Sequence, residues 1–362
     1  MIPLWKLSRE AHRLLQQLNA LLEAPFRKAR TQRHDKLRHQ NNRVTEGQCD
    51  PGTGIAIFLL FQPRGLAESV FQQIEWLLRQ GYATLIVSNS AINEVDRLKL
   101  SNICWRIVER PNFGYDFGGY REGIMQIWDS GITPERLVIF NDSTWFPLDT
   151  QTPLLKIAET LDADIIGAIK RVKKNAHWLE SYFFYIPKRT FLNKKFVSFW
   201  QNYVLTSNKY LVIRQGERDF GVALQRGGLK LDAVYSSETL IKKLRLVEPE
   251  ILRNTLIYGS YGVAERANEA HALIRAYLPT QSWHKMAMDH IEITLEKAGF
   301  NSQYCYGSVR FIGFPFLKKS SDRVNKMWRI AYLSAIEAGE LELPPQHILL
   351  ELQSAVGREQ TK

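Results

Sequence analysis

Apolar positions along the chain follow two periods, three to four residues in some stretches and continuous short runs in others. At the start, Leu4, Leu7, Ala11, Leu14, Leu15, Leu18, Leu21 and Leu22 recur at three- and four-residue steps with Trp5 beside them, which puts them on one face of a helix. From Phe26 to Arg43 apolar residues thin out and Arg27, Lys28, Arg30, Arg33, Lys36, Arg38 and Arg43 follow. Past the turn-rich Cys49-Asp50-Pro51-Gly52, β-branched and aromatic runs at 54–61, 83–88, 104–108, 137–140 and 164–169 predict strands. Helical spacing at 66–79, 118–128 and 154–161 predicts helices among them. Short apolar strands alternating with helices predict an α/β fold with a mainly parallel central sheet covered on both faces. The alternation then loosens into a strand at 182–186, helices at 188–203 and 217–226, and a strand at 229–235. Beyond Leu246 the pattern is mainly helical, clearest at 283–297 and 322–338, and 353–362 reads as a frayed tail. The expected organisation is a basic amphipathic arm (1–50), an α/β core (51–247) and a helical C-terminal region (248–362).

Composition narrows the class. With 362 residues, 45% of them hydrophobic and 23% charged, the chain is globular, neither disordered throughout nor collagen-like. Cys49, Cys104 and Cys305 form no Cys-x-x-Cys pair, which argues against a zinc knuckle or a disulfide framework and for a reducing cytoplasm. The longest apolar run, 55–61, falls far short of the ~20 residues that span a bilayer, and no signal core precedes it, so the chain is expected not to cross a membrane. Net charge is +11, and residues 1–47 alone carry a surplus of six basic over acidic groups. An amphipathic helix with a basic continuation suits the anionic inner face of the cytoplasmic membrane, each basic side chain contributing about 1 kcal/mol. The alternative is a helix docked on the protein's own core with a solvated basic tail. Few aromatics stand among these arginines, so no nucleic-acid partner is expected.

Ligands of parallel sheets bind beyond the carboxyl ends of the strands, so chemistry is sought just after them. The third predicted strand leads into Arg110-Pro111-Asn112-Phe113-Gly114-Tyr115-Asp116-Phe117-Gly118-Gly119-Tyr120-Arg121. Its glycines would let backbone approach a ligand, while Asn112 and Asp116 offer short polar side chains near a helix start, a combination that fits a nucleotide or a sugar. The plainer alternative is a turn in which Asp116 caps the helix and the glycines relieve strain. Neither the dinucleotide fingerprint nor a Walker lysine is present. The next strand ends in Asn141-Asp142-Ser143, where an acidic side chain can hold Mg or Mn against a diphosphate or can simply close an Asx turn. Adjacent strands are expected to bring the two segments together.

These two segments, followed by Leu179-Glu180-Ser181-Tyr182-Phe183-Phe184-Tyr185, Gln215-Gly216-Glu217, Gly228-Leu229-Lys230 and Gly313-Phe314-Pro315-Phe316-Leu317-Lys318-Lys319, resemble the rhamnan synthesis protein F family of bacterial polysaccharide glycosyltransferases. The resemblance implies a GT-A-type nucleotide-sugar fold and transfer of rhamnose or a related sugar from a nucleotide-diphosphate donor to a cell-surface glycan or lipid-linked glycan. It implies nucleotide-sugar binding by Asn112, Gly114, Asp116, Gly118, Asn141 and Asp142, with Asp142 as the metal ligand. Many GT-A enzymes carry Asp-x-Asp where this chain has Asn141-Asp142-Ser143, a single carboxylate, which motivates the rival reading of a non-catalytic sugar-binding or assembly protein. Transfer needs a carboxylate to deprotonate the acceptor hydroxyl, and the candidates are Glu217 and Asp219, for which the alternative is favourable placement at a helix N-terminus. Lys170, Arg171, Lys173 and Lys174 are expected to form a solvated face, and His177 is expected to be structural.

Overall fold

The structure is a computed structural model that describes residues 4–173 and 176–360. It divides into two compact units, one of residues 1–142 and 156–234, the other of 143–155 and 235–362. The arm expected at 1–50 thus belongs to the first unit, and the division expected at 247 falls at Val234.

The first unit is built on a sheet of nine strands among the described residues: β1 (Arg43–Glu46), β2 (Gly54–Leu60), β3 (Tyr82–Ser88), β4 (Arg106–Glu109), β5 (Arg136–Asn141), β7 (Ile165–Lys173), β8 (Ala176–Leu179), β9 (Phe183–Pro187) and β10 (Leu231–Tyr235). Their order is β1-β4-β3-β2-β5-β9-β7-β10, with β8 paired to β7. The centre is parallel, β4 to β3, β3 to β2 and β2 to β5, whereas β1, β9 and β8 pair antiparallel with their neighbours. Every residue of β2 and β3 is buried, the pattern of strands covered on both faces, and this is why their sequences are unbroken apolar runs. The α/β architecture is as the sequence predicts. The helices that matter for the site are α1 (Leu4–Glu23), α2 (Arg27–Asn41), α3 (Glu68–Arg79), α4 (Glu94–Ser101) and α5 (Tyr115–Asp129).

Several elements depart from expectation. The basic stretch after Phe26 is not a solvated tail but the helix α2, tied down by buried polar groups. Arg121 donates to both oxygens of Asp35 (2.6 and 2.9 Å), Arg38 pairs with Glu122 and Asp129, and Leu205 N donates to Thr31 Oγ1 (3.0 Å). The helix expected at 188–203 breaks into Lys188–Phe191 and Lys194–Asn202, because Asn193 turns its side chain onto Lys195 N and caps a new start. The helix expected from Glu217 starts earlier, at Lys209–Leu211, passes through a π-helical stretch, Val212–Arg218, and becomes α-helical again at Asp219–Arg226.

The second unit holds a two-stranded sheet, β6 (Thr144–Trp145) against β11 (Leu317–Lys318), and is otherwise helical, as expected. Of the frayed tail expected at 353–362, residues 353–360 are instead the end of a helix, Gln346–Gln360, whose Ile348 and Leu352 are fully buried, and 361–362 lie outside the described residues. Gly313, at φ +61°, ends the helix Cys305–Ile312, and Phe314 and Phe316 pack on Trp328 and Phe146. The family-like segment from Gly313 to Lys319 is thus a packing corner. No described helix is long and apolar enough to cross a membrane, and the three cysteines are free.

Candidate functional site

β4 ends at Glu109 and leads into a loop held from beneath by a buried arginine. Arg110 donates to Asn89 Oδ1 and to Phe113 O (both 2.5 Å), and Asn89 Nδ2 donates to Tyr115 O (3.2 Å). Burial pushes the Arg110 guanidinium down to about 10. The turn passes through two successive left-handed residues, Gly114 at φ +89° and Tyr115 at +48°; a non-glycine in that region is the kind of strained position that gathers at functional sites. α5 begins at once, three residues before the predicted start, so Asp116 stands in its first turn. Asn112 is half-buried and its Oδ1 is enclosed without a hydrogen-bond partner.

The glycines are packed closely against the protein itself. A Cβ on Gly114 would stand 2.7 Å from Leu205 Cδ2, and on Gly118 only 2.3 Å from Phe113 O. Gly119 and Gly123 meet Leu59 and Ile57 at 2.2 and 2.7 Å. The space beside each is filled by the protein itself, and the small residues let α5 settle onto β2 while closing the loop over its first turn. Because the Gly118 neighbour is a backbone oxygen that cannot swing away, Gly118→Ala is expected to lower stability by about 2 kcal/mol. The check is the urea midpoint at constant m-value; an unshifted midpoint would mean that the loop has slack.

β5 ends at Asn141. Its Nδ2 donates to Tyr120 Oη (2.8 Å), Tyr120 donates to Ser181 O (2.7 Å), and Ser181 Oγ donates to Glu217 Oε1 (2.8 Å). Asp142, half-buried, accepts from Phe61 N at 3.0 Å. The chain of bonds joins the end of β5 to Glu217 through Tyr120, which lies one helical turn beyond Asp116, so Asp116 feels the charges of both Asp142 and Glu217. Burial first, then the negative charges of Asp142 and Glu217, push Asp116 up to about 6, with Lys209 acting in the opposite sense. The two segments do meet, but not through adjacent strands, since β3 and β2 lie between β4 and β5. α5 carries Asp116 across them.

The remaining site residues divide. Gly216 abuts Phe117, where a Cβ would be 2.5 Å from the ring, and the π-helical turn there aims Glu217 inward. Asp219, two residues on, is exposed and lines a separate cavity of about 470 Å³ with Arg27, Lys28, Phe199, Tyr203 and Gln215. Asn141 is buried with its Nδ2 on Tyr120, and Gly114 and Gly118 have Leu205 and Phe113 O where a Cβ would stand. Of the basic run, Lys170 pairs with Asp232 and Arg171 with Glu180; Lys174 lies outside the described residues. His177 Nδ1 lies 3.3 Å from Gln225 Nε2. Arg110, Tyr120, Ser181 and Lys209 help to build the site without having been assigned a role from the sequence; Arg110 and Tyr120 stand in the glycine-rich segment and Ser181 in the segment 179–185, whereas Lys209 carries no signal. Among the described residues no group of three or more His, Cys, Asp or Glu stands close enough to hold a metal ion.

The fold is an α/β sheet with a parallel centre, and its candidate site is the group of Asp116, Asp142, Glu217 and Lys209, in the region beyond strand ends where such sheets bind ligands. The chain belongs to the rhamnan synthesis protein F family. That family's model matches residues 84–259, which include Asp116, Asp142 and Glu217. An uncharacterized protein, y4gN, of Sinorhizobium fredii (strain NBRC 101917 / NGR234) is 35% identical over 262 residues, 71% of this chain and 68% of that one. A mannosyltransferase from Pyrobaculum calidifontis, solved with GDP-mannose and Mn2+, aligns over 93% of this chain and 90% of its own at 12% identity and a TM-score of 0.31, too slight a likeness to carry an argument.

Proposed function

We propose that the protein is a glycosyltransferase of GT-A type that moves rhamnose or a related sugar from a nucleotide-diphosphate donor to a growing cell-surface polysaccharide or lipopolysaccharide. The observation that carries this reading is the convergence of Asp116, Asp142 and Glu217, with Asp116 raised to about 6 by burial and by the other two charges. Membership of a family described as rhamnan synthesis supports the polysaccharide. In this reading Asn112 and Asp116 hold the nucleotide-sugar. Glu217, fixed by Ser181, takes the acceptor hydroxyl's proton as the acceptor oxygen bonds to the anomeric carbon and the nucleoside diphosphate departs. Asp142 stands near the diphosphate. Magnesium is commonly held by one or two carboxylates together with substrate phosphates, so Asp142 suits a cation that arrives with the donor better than one resident in the protein. The acceptor is a glycan or lipid-linked glycan, met in the cytoplasm at the inner face of the membrane.

The test is release of nucleoside diphosphate from a panel of nucleotide-sugars in the presence of lipid-linked acceptor. Release with one donor class, dependent on acceptor, is expected. Donors that raise the melting temperature yet are never turned over would replace this reading with that of a non-catalytic sugar-binding or assembly protein, which the single carboxylate of Asn141-Asp142-Ser143 favours.

A further inference from the structure

The leucine face of α1 points the wrong way for a helix that merely docks on its own core. Leu14, Leu15, Leu18, Leu21 and Leu22 are 57–73% exposed, as is Phe26 at 60% in the turn that follows. The helix is held instead through its other side, where Ala20 is buried, Asn208 donates to Gln16 O (2.7 Å) and Thr206 donates to Glu23 (3.1 Å). Attachment by polar contacts with the apolar face turned outward is the arrangement of an interfacial helix. Beside it α2 exposes Lys28, Arg30, Arg33 and Lys36, while its one acid, Asp35, is engaged by Arg121.

At the foot of α1 lies the cavity of about 470 Å³ that Asp219 lines. Arg27 and Lys28 line it too, against that one acid, and so does Tyr203, which is 6% exposed. The Tyr203 hydroxyl and Arg27 Nε are buried without a hydrogen-bond partner. Ala24, between the exposed Leu22 and Phe26, forms part of the same wall. A buried hydroxyl and a guanidinium N–H left unmade carry a cost that a phosphate oxygen would relieve.

We infer that the α1–α2 turn docks on an anionic lipid surface: the leucine face enters the boundary of the acyl chains, the exposed row of α2 meets headgroups, and the cavity between Arg27, Lys28 and Tyr203 takes one lipid phosphate. This deepens the membrane placement in the reading above and rests on that part of it alone, not on sugar transfer.

Full-length protein is floated with vesicles of phosphatidylcholine alone or of equal parts phosphatidylcholine and phosphatidylglycerol, at low and physiological salt. Binding to the anionic vesicles at least about tenfold tighter than to neutral ones, weakened by salt, is expected. Leu18→Glu/Leu21→Glu should reduce it at least about tenfold, and Lys28→Glu/Arg30→Glu should remove the preference for anionic lipid. Far-UV circular dichroism, the unfolding midpoint and nucleoside diphosphate binding should not move in either variant. Equal binding to both vesicle types, no binding by the wild type, or a wild-type dimer that Leu18→Glu/Leu21→Glu renders monomeric would overturn the inference. If nucleoside diphosphate fails to bind wild type and variants alike while vesicle binding behaves as described, the proposed sugar transfer falls and this surface stands.

Discussion

Glu217→Gln is expected to lower sugar transfer by about 100-fold or more, the usual contribution of a positioned general base, while donor affinity stays within a few-fold. Glutamine keeps an oxygen that can accept from Ser181 Oγ, now at 2.8 Å from Glu217 Oε1, so the side chain should hold its place and lose only its basicity. Single-turnover rates at saturating donor, with donor binding measured separately, are the check. Asp219→Asn is the paired control, because Asp219 faces another surface and should leave the rate within about twofold. Ser181→Ala should fall between the two and shift the pH dependence of the rate, as expected of a group that acts by orienting the base. Undiminished turnover in Glu217→Gln would remove it from the chemistry and return attention to Asp116 and Asp142.

Separating Glu217 from Asp219 is a step that the sequence does not allow. Both are acids next to a helix, and two residues apart they fall on nearly opposite faces, but the period alone does not say which of the two faces inward. The π-helical stretch Val212–Arg218 changes the turn between them, and nothing in Val212-Ile213-Arg214-Gln215-Gly216 announces it except a glycine, whose reason is the Phe117 ring against its Cα. The sheet centre was legible because β2 and β3 are buried on both faces and read as apolar runs. β1 was not: Arg43-Val44-Thr45-Glu46 has one apolar side chain and is a strand by virtue of its pairing with β4 and the Glu46–Arg106 ion pair. α2 was hidden for the same kind of reason, since it is anchored by ion pairs rather than by an apolar stripe. For α1 the period gave the helix but not its facing, because leucines recur identically whether they meet a core or a membrane. In the glycine-rich segment Gly119, with Gly123 beyond it, lets α5 pack closely on Leu59 and Ile57 of β2, and that packing brings Asp116 within reach of the Asp142 charge, a long-range consequence that the spacing of glycines in the sequence does not display.

Asp116→Asn should make the protein more stable and less active, and the gain in stability should depend on pH. Burial and the charges of Asp142 and Glu217 raise the folded-state value of Asp116 from 3.8 to about 6, so the folded protein binds a proton there more tightly than the unfolded chain does. Wild-type stability is therefore whole below about pH 4, declines as pH rises through about 6, and is lowest above it, by roughly 3 kcal/mol for a shift of this size. Asparagine carries no charge to lose. The variant and the wild type should unfold at similar urea concentrations near pH 4 and diverge in favour of the variant toward pH 8, whereas transfer at pH 8 falls at least about tenfold through loss of one contact to the donor. Parallel stability profiles across that range would mean that Asp116 ionises freely and is not gathered with the other two carboxylates. Adding Asp142→Asn should give less than the sum of the two single gains, because each substitution already removes the repulsion felt by the other. A carboxylate held where its charge is unwelcome is a cost to the fold that a bound cation or a donor hydroxyl would relieve, so the same ligand that needs Asp116 for binding should also stabilise the wild type more than the variant.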